Sequence, residues 1–237
     1  MSAQASTATR AEVCVVACAE AWRGDGAIVA SPTGLIPSLG ARLARLTFAP
    51  DLLLTDGDAY LLDPNGNVEG WLPYAKLFTI VAAGRRHMMM GAAQIDRYGN
   101  QNISCIGDWE RPKAQLLCVR GAPGNTVNHA VSYWIPRHSR RVFVEHVDMV
   151  SGVGYDRGAT DLRVVVTNLA ILDFQTPGHA MRLRSVHPGV EVSDVLKETG
   201  FELAVPDDVT VSRVPSAAEL EIIRRLDPDG KRDREVP

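Results

Sequence analysis

The sequence predicts an α/β fold built around a parallel sheet. Of its 237 residues, 46% are hydrophobic and 22% are charged, a balance typical of a globular protein with one sizeable core. Two apolar segments, Ala27–Ala30 and Leu52–Leu54, flank a stretch with helical periodicity. A strand, helix and strand in succession form a right-handed crossover between parallel strands. We therefore expect one α/β domain over 1–237, with 1–8 and 228–237 as flexible tails.

Five helices are predicted from apolar periodicity and from capping residues. In the last of them, Ser216 is followed three positions later by Glu219, which is the spacing of a capping box. The predicted helices run from Thr9 or Thr7 to about Trp22, from the turn Ser31–Gly34 to about Leu46, over Tyr74–Ala83, from Ser193–Val195 to Gly200, and over Pro215–Leu226.

Further strands are predicted where short apolar runs are bounded by turn residues. They are His87–Met90, Leu116–Val119, Val142–Glu145 and Arg163–Thr167, and residues 63–73 are predicted to be loop because Pro, Asn and Gly dominate the first part of that stretch.

Composition excludes several classes of function. The formal net charge is −3, so no overall positive field gathers nucleic acid or anionic membrane. The four cysteines lack zinc-finger or CxxC spacing, and we expect them to be reduced and structural, with no metal site. Residues 1–10 lack the apolar centre of a signal peptide, and no apolar run is long enough to span a bilayer. These features predict a cytoplasmic protein.

Two segments rich in small residues are candidates for a binding site. Gly91–Ser104 follows a predicted strand and contains the tight turn Asp96–Asn100. Gly121–Asn128 follows another predicted strand, where backbone N–H groups aimed at an anion suit a thioester oxygen that gains negative charge. Its spacing is neither that of a P-loop nor that of a dinucleotide-binding loop. The candidate ligand contacts are Gly121, Ala122, Pro123, Gly124, Asn125, Gln94 and Asn128, and the alternative is that these residues form structural loops.

For several other side chains, a structural role and a functional role are both compatible with the sequence. His129 and His146 are conceivable general bases, but a histidine beside an apolar strand is more typical of the core. The pairs Arg85-Arg86 and Arg140-Arg141 suit the phosphates of a ligand or a solvated surface. The run Met88–Met90 is predicted to pack in the core.

Taken together, the motifs resemble the β subunit of glutaconate-type class I CoA transferases. They occur in the same order over nearly the whole chain: LARLTFAPDLLL (43–54), GAAQIDRYGNQNISCIGD (91–108), GAPGN (121–125), RRVFVEHVD (140–148), VVVTNLAILDF (164–174) and SDVLKETGFEL (193–203). The resemblance implies an open, mostly parallel α/β sheet with helices on both faces, of the CoA-transferase/NagB-like type. It also implies an α-subunit partner, an α2β2 heterotetramer, and an acyl-CoA site between the subunits, with coenzyme A as part of the substrate and no further cofactor.

One departure from the transferase pattern concerns the nucleophile. Transferases of this family end the strand after the APD motif with a glutamate that attacks the acyl-CoA thioester, and here that position falls on Thr55 or Asp56. A threonine hydroxyl is a poor nucleophile without a base, and aspartate is one methylene shorter.

The departure instead resembles a branch of the family from steroid and cholesterol catabolism. That branch hydrolytically opens the last ring of a steroid-derived cyclic β-keto acyl-CoA, and the resemblance implies that the α subunit supplies the catalytic glutamate. Two alternatives stay open, namely a true CoA transferase that uses Asp56 and a non-catalytic partner subunit.

Overall fold

The computed structural model describes residues 8–56 and 59–236. Within those residues the strands are β1 (Val29–Pro32), β2 (Leu53–Thr55), β3 (Tyr60–Leu62), β4 (Val68–Trp71), β5 (Arg86–Met90), β6 (Gln94–Ile95), β7 (Gln101–Asn102), β8 (Cys105–Ile106), β9 (Ala114–Gln115), β10 (Ala130–Ile135), β11 (Leu162–Thr167), β12 (Ala170–Asp173), β13 (Arg182–Val186) and β14 (Thr210–Val211). The α-helices are α1 (Arg10–Glu20), α2 (Leu35–Thr47), α3 (Tyr74–Ala82), α4 (Ala122–Asn128), α5 (Val192–Lys197), α6 (Ala217–Leu226) and α7 (Arg232–Glu235), and Tyr155–Arg157 forms a 3-10 turn.

Ten strands form one mixed sheet in the order β14-β13-β12-β11-β10-β5-β1-β2-β3-β4. The central strands, from β11 across to β2, all run parallel, and the antiparallel pairings lie towards the two ends of the sheet. The small hairpins β6-β7 and β8-β9 stand apart from this sheet. The predicted open, mostly parallel α/β sheet is confirmed.

The central strands are buried on both faces, with alternate residues in different cores. Trp134 of β10 packs in a core with α1 and α2, whereas its neighbour Tyr133 packs in a core on the opposite face. On that opposite face, α4 packs against β10 and Val195 of α5 joins the core. Helices therefore cover both faces, as predicted.

Local capping signals place two helices correctly. The Thr9 hydroxyl accepts a hydrogen bond from the Glu12 N–H, and the Glu12 carboxylate accepts one from the Thr9 N–H, at 3.3 and 2.9 Å. Ser216 and Glu219 make the same reciprocal pair at the start of α6. Each pair satisfies backbone donors that the helix start leaves without partners.

Several predicted elements are wrong. Leu116–Val119 and Val142–Glu145 are not strands, since no residue of the first pairs in a sheet and the second makes only an isolated bridge from Phe143 to Ile95. The fully buried strand β10 was not predicted, because a short apolar run without alternation carries no clear period. Residues 63–73, predicted as loop, contain β4, which closes an antiparallel hairpin with β3.

Residues 228–236 are also packed rather than loose, which corrects the predicted tail over those residues, and Pro237 lies outside the described residues. Arg232 of α7 donates to the Glu12 carboxylate at 2.9 Å and to Asp227 at 3.1 Å, with all three residues buried. The Glu235 carboxylate accepts a hydrogen bond from the Trp134 indole at 2.6 Å. Burial of Glu12 requires nearby cations, and a charge-rich tail supplies one. Of the predicted N-terminal tail, residues 1–7 lie outside the described residues.

All four cysteines are free. Cys14, Cys18 and Cys105 are buried, as expected of structural thiols, and burial raises the pKa of Cys14 to about 12. Cys118 is free as well but exposed, and its sulfur accepts a hydrogen bond from the Gln115 side chain at 3.6 Å. No helix of the described residues combines the length and hydrophobicity that crossing a membrane requires.

Candidate active site

A cleft of about 1230 Å³ opens at the carboxyl ends of β1, β2 and β5. In open α/β sheets ligands bind at this edge. We call it the β5 cleft, and its lining includes Pro32, Thr33, Asp56, Arg86, Met88, Met90, Gly91, Gln101, Gly121, Ala122 and Asn125.

Strand β5 presents alternate side chains to this cleft. Arg86, Met88 and Met90 line it, whereas His87 and Met89 lie on the other face of the sheet. This is the two-residue period of a strand. The prediction that Met88–Met90 packs in the core is confirmed for the buried Met89 and Met90, and the partly buried Met88 packs against the same core as Met90. Met88 and Met90 line the cleft as well. With Leu77, Ile103 and Leu117 they make much of the wall apolar.

The segment predicted as a Gly-rich loop is the helix α4. Gly121 lies just before it, and Pro123 takes an early helical position, where the absent proline N–H costs nothing. Gly121, Ala122 and Asn125 line the cleft, whereas Pro123 and Gly124 do not. Among residues 8–56 and 59–236, the backbone N–H of Gly121 has no hydrogen-bond acceptor, so it is available to an oxygen in the cleft.

A polar cluster around Ser31 lies beside the cleft and includes two of its lining residues, Arg86 and Asn125. The Ser31 hydroxyl accepts a hydrogen bond from Arg86 Nε at 2.8 Å and another from the Thr55 hydroxyl at 3.1 Å. Arg86 also donates from Nη1 to the Asn125 side-chain oxygen at 3.4 Å. All four side chains are buried, which brings the predicted residues Thr55 and Asn125 into one network with Arg86.

Thr55 is the buried end of β2 and is 3% exposed. Its hydroxyl contacts the Ala30 carbonyl at 3.3 Å as well as Ser31. Neither partner is a base, so these contacts do not activate the hydroxyl as a nucleophile.

Asp56 lines the cleft, but its carboxylate also holds a turn. One oxygen accepts hydrogen bonds from the backbone N–H groups of Ala59 and Tyr60, at 3.0 and 3.2 Å. This is the turn-capping role that competes with a catalytic one. Gly57, which completes the predicted Thr55-Asp56-Gly57 motif, lies outside the described residues.

Gln94 and Asn128 lie away from the cleft lining. The Gln94 amide donates to the Asp148 carboxylate at 3.0 Å and accepts from Asn102 at 2.7 Å and from the Asp148 N–H at 2.9 Å. Asn128 donates to the Gly124 carbonyl at 2.7 Å within α4. Within this chain both amides take part in local structure, and their contact with substrate stays a prediction.

The sequence prediction gave too little weight to Arg86 and passed over Ser31. Arginine pairs usually lie on solvated surface, yet Arg86 is 5% exposed. The signal that identifies it is the strand period: Arg86, Met88 and Met90 share one face of β5, and that face opens onto the cleft.

His129 lies behind Asn125, where it is 3% exposed. Its Nδ1 is 2.9 Å from the Ala130 carbonyl and its Nε2 is 3.1 Å from the Asn125 side-chain oxygen. His146, the other candidate base, is exposed. His129 therefore borders the site without lining it.

Nothing in the described chain suggests a metal centre, since no group of three or more His, Cys, Asp or Glu side chains there is placed to hold an ion. The chemistry of the β5 cleft is that of hydrogen-bond donors, one buried guanidinium and apolar walls.

The cleft coincides with the part of the chain that a known family shares. Residues 78–198 match the model of the coenzyme A transferase family. The chain belongs to the coenzyme A transferase family. The matched residues include β5, α4 and the segment from Gly91 to Asp108, so they contribute most of the cleft lining.

Two relatives within this coenzyme A transferase family match along almost their whole length. The cholesterol ring-cleaving hydrolase IpdB subunit of Mycobacterium tuberculosis is 51% identical over 96% of this chain and 98% of that protein. The protein of the same name from Rhodococcus jostii is 49% identical over 100% of this chain and 99% of that protein.

A solved structure shares the fold closely. The crystal structure of Rhodococcus jostii RHA1 IpdAB superposes with a TM-score of 0.92 and 49% identity, covering 98% of this chain and all of the matched chain. The resemblance to coenzyme A transferases and to their steroid ring-opening branch is confirmed.

Proposed function

We propose that this chain is the β-type subunit of a heteromeric hydrolase that opens the last ring of a steroid-derived cyclic β-keto acyl-CoA. The observation that carries the proposal is Thr55. At the position where the family's transferases place their nucleophilic glutamate, this chain has a buried hydroxyl held by Ser31 and the Ala30 carbonyl, and its relatives with 49–51% identity are named as ring-cleaving hydrolase subunits.

The β5 cleft suits a substrate of this class. Its volume of about 1230 Å³ exceeds the usual range of roughly 300–1,000 Å³ for ligand pockets, which fits an acyl group together with part of a CoA chain. Met88, Met90 and Leu77 offer apolar surface to a hydrocarbon ring, and the polar cluster around Arg86 and Asn125 offers hydrogen bonds to its oxygens.

The reaction divides into steps that need different groups. Water adds to the ring ketone carbon and loses a proton to a base, and the carbon–carbon bond beside the thioester then breaks. One product end is a carboxylate, and the other is the thioester enolate, which takes up a proton. Such chemistry needs a carboxylate base and hydrogen-bond donors placed where the enolate charge grows.

This chain supplies donors, and the partner supplies the base. The free N–H of Gly121 and the side chain of Asn125 face the cleft, so both can stabilise charge on a thioester oxygen. We assign the catalytic glutamate to an α subunit within an α2β2 assembly, in line with the two-subunit IpdAB relative. Coenzyme A enters as part of the substrate with no other cofactor, and a cytoplasmic location follows from where acyl-CoA metabolism takes place.

The test is turnover of the cyclic acyl-CoA by this chain with and without its α partner. We expect ring opening only from the complex, and loss of it when the partner's glutamate is replaced by glutamine. Full hydrolysis by this chain alone would contradict the division of labour.

A second candidate function is CoA transfer through Asp56, because that carboxylate lines the cleft. A transferase forms a thioester between CoA and its carboxylate, which borohydride reduces and hydroxylamine cleaves. We expect neither reagent to modify Asp56 in a complex treated with acyl-CoA. A modified Asp56, together with transfer of CoA to a free carboxylic acid, would replace the hydrolase proposal.

A further inference from the structure

The peptide between Gly91 and Ala92 lies directly after β5, and both residues line the β5 cleft. Its N–H belongs to Ala92 and has no hydrogen-bond acceptor in the part of the chain that the structure describes. Most backbone N–H groups shielded from water have a partner, and Ala92 is only partly exposed. This open donor stands at the carboxyl end of a parallel strand, which is where open α/β sheets bind ligands.

The other end of the same peptide is held in place. The Gly91 carbonyl accepts a hydrogen bond from the side-chain NH2 group of Gln101. A trans peptide unit is planar, and its C=O and N–H point in opposite directions. The described residues contain no cis peptide bond. The bond from Gln101 therefore also fixes the direction of the Ala92 N–H, which points away from Gln101.

The surroundings of Gln101 keep its side chain still. Gln101 is 0% exposed, its N–H donates to the Gly152 carbonyl at 2.8 Å, and its carbonyl accepts from the N–H groups of Ser151 and Gly152 at 2.7 and 3.1 Å. Its side-chain oxygen has no donor among the described residues, so the bond to Gly91 is the hydrogen bond that its amide makes there. Only the NH2 group can donate to a carbonyl, which decides the orientation of this amide.

The proposed reaction builds negative charge in two places. Water addition puts charge on the ring ketone oxygen, and cleavage of the carbon–carbon bond puts it on the thioester oxygen. Gly121 and Asn125 are assigned to the thioester oxygen. A backbone donor that is already fixed in direction suits the other oxygen, because it needs no reorganisation when the charge appears.

We propose that the Ala92 N–H donates a hydrogen bond to the ring ketone oxygen of the substrate, and that Gln101 is the positioning residue that aims it. This inference rests on the proposed function for the identity of that oxygen. As the water oxygen bonds to the ketone carbon, the C=O π bond breaks, its electron pair moves to the oxygen beside Ala92, and the water proton passes to the partner's base. The C=O bond forms again when the electron pair of the breaking carbon–carbon bond moves to the thioester.

A binding experiment observes the donor directly. In the α/β complex, label only this chain, with 13C at the glycine carbonyl and 15N in alanine, so that NMR detects only amides of Gly-Ala pairs. The sequence has five such pairs, and loss of one signal in Ala92→Ser assigns Ala92. The pairs are Gly26-Ala27, Gly40-Ala41, Gly91-Ala92, Gly121-Ala122 and Gly158-Ala159.

The probes are oxocyclohexanecarboxyl-CoA, with its ketone β to the thioester, and cyclohexanecarboxyl-CoA, which lacks the ketone. Both are added at saturation to a complex in which the partner's glutamate is replaced by glutamine, so that neither is consumed. We expect a downfield shift of the Ala92 amide proton with the ketone probe, and a much smaller shift with the other. Equal shifts with both probes, or no shift with either, would overturn the proposal.

The kinetic test removes the anchor of the peptide. Gln101→Met has a similar length but no N–H, so the Gly91 carbonyl loses its partner, and we expect kcat to fall roughly tenfold with KM little changed. Gln115→Met is the matched control, because Gln115 also donates to a carbonyl, that of Ser104 at 3.2 Å, but does not line the cleft. Its kcat should stay as in the wild type. Equal losses in the two variants would contradict a positioning role.

A pH profile separates positioning from a structural role. In Gln101→Glu the new carboxyl can donate to the Gly91 carbonyl only when it is protonated, and burial raises the pKa of such a group. The kcat of Gln101→Glu, relative to the wild type, should therefore rise as the pH falls through that pKa and be lost as the pH rises. Gln101→Met should show no such recovery. A constant ratio across pH for Gln101→Glu would overturn the assignment to Gln101.

These outcomes are distinguishable from failure of the proposed function. The NMR shifts need binding but no turnover, so the ketone-dependent shift of Ala92 would sustain the donor even if the complex opens no ring. Ring opening by the complex without that shift would sustain the proposed function and remove Ala92 from the site.

Discussion

The two faces of strand β5 carry polar clusters of opposite character. On one face, His87 lies between Asp25 and the Ser132 hydroxyl, with ring contacts of 2.7 and 2.9 Å, and both Ser132 and His87 are fully buried. On the other face, Arg86 lines an open cleft and donates to Ser31 and to Asn125, which lines the same cleft.

The first of these clusters, which we call the closed cluster, consists of Ser132, His87 and Asp25. It has the composition of a Ser-His-Asp triad but cannot act as one. A Ser-His-Asp triad works on a carbonyl that reaches the serine, and Ser132 is 0% exposed. The open cluster has no such familiar pattern, but two of its members, Arg86 and Asn125, line the cleft. The comparison teaches that access to the cleft, rather than the set of residue types, separates the site from the scaffold.

The largest predicted change is a loss of stability, and it should follow from a substitution on the face of the sheet that carries His87. Glu12 is fully buried and pairs with Arg232 and Arg224, so Arg232→Ala leaves both Glu12 and Asp227 with less compensation. We expect the free energy of unfolding to fall by about 3–5 kcal/mol, measured by urea denaturation. Arg225→Ala removes an exposed arginine from the same region and should change it by less than about 0.5 kcal/mol. Equal losses would mean that burial is not what makes this ion network matter.

On the open side, Gly121→Val should reduce turnover of the complex by roughly 100-fold. A Cβ at Gly121 would lie 3.5 Å from Asn125 Nδ2, which is ordinary contact, and its φ of −88° suits any residue. The valine therefore folds in place while covering the backbone N–H that faces the cleft. Unchanged turnover with the assembly intact would favour a non-catalytic role for this subunit.

The smallest predicted change, again in stability, should follow from Ser132→Ala. Loss of the hydroxyl leaves His87 Nε2 without its partner, which costs about 1–3 kcal/mol of stability. Turnover of the folded complex should stay unchanged, as steady-state kinetics at a temperature well below the thermal midpoint would show. A drop in kcat comparable to that of Gly121→Val would break the distinction between the two faces.

Features that depend on neighbouring residues could be predicted from the sequence. The caps at Thr9 and Ser216 are decided within four residues, and both predictions are confirmed. The parallel arrangement around β1 and β2 follows from the helix between them. The family resemblance supplied the rest of the sheet, because strand order is set by contacts between residues far apart in the chain.

The site was predicted only in part, for the same reason. Asn125 and Gly121 stand out through their small neighbours, whereas Arg86 takes part because β5 places it beside Ser31, 55 positions earlier. Gln94 sits in a segment that looks like a binding loop, but its amide is satisfied by Asp148, 54 positions later. Pairings at this distance leave no local pattern in the sequence.

The pairing of Glu12 with Arg232 spans 220 positions, which has a consequence for biosynthesis. While the ribosome is still making the middle of the chain, α1 carries a carboxylate whose cationic partners do not yet exist. We therefore expect the docking of α1 to be completed only when α6 and α7 have emerged, because a buried carboxylate without a cation is costly. Truncated products that lack these helices should keep Glu12 without its arginine partners and should unfold more readily than the full chain.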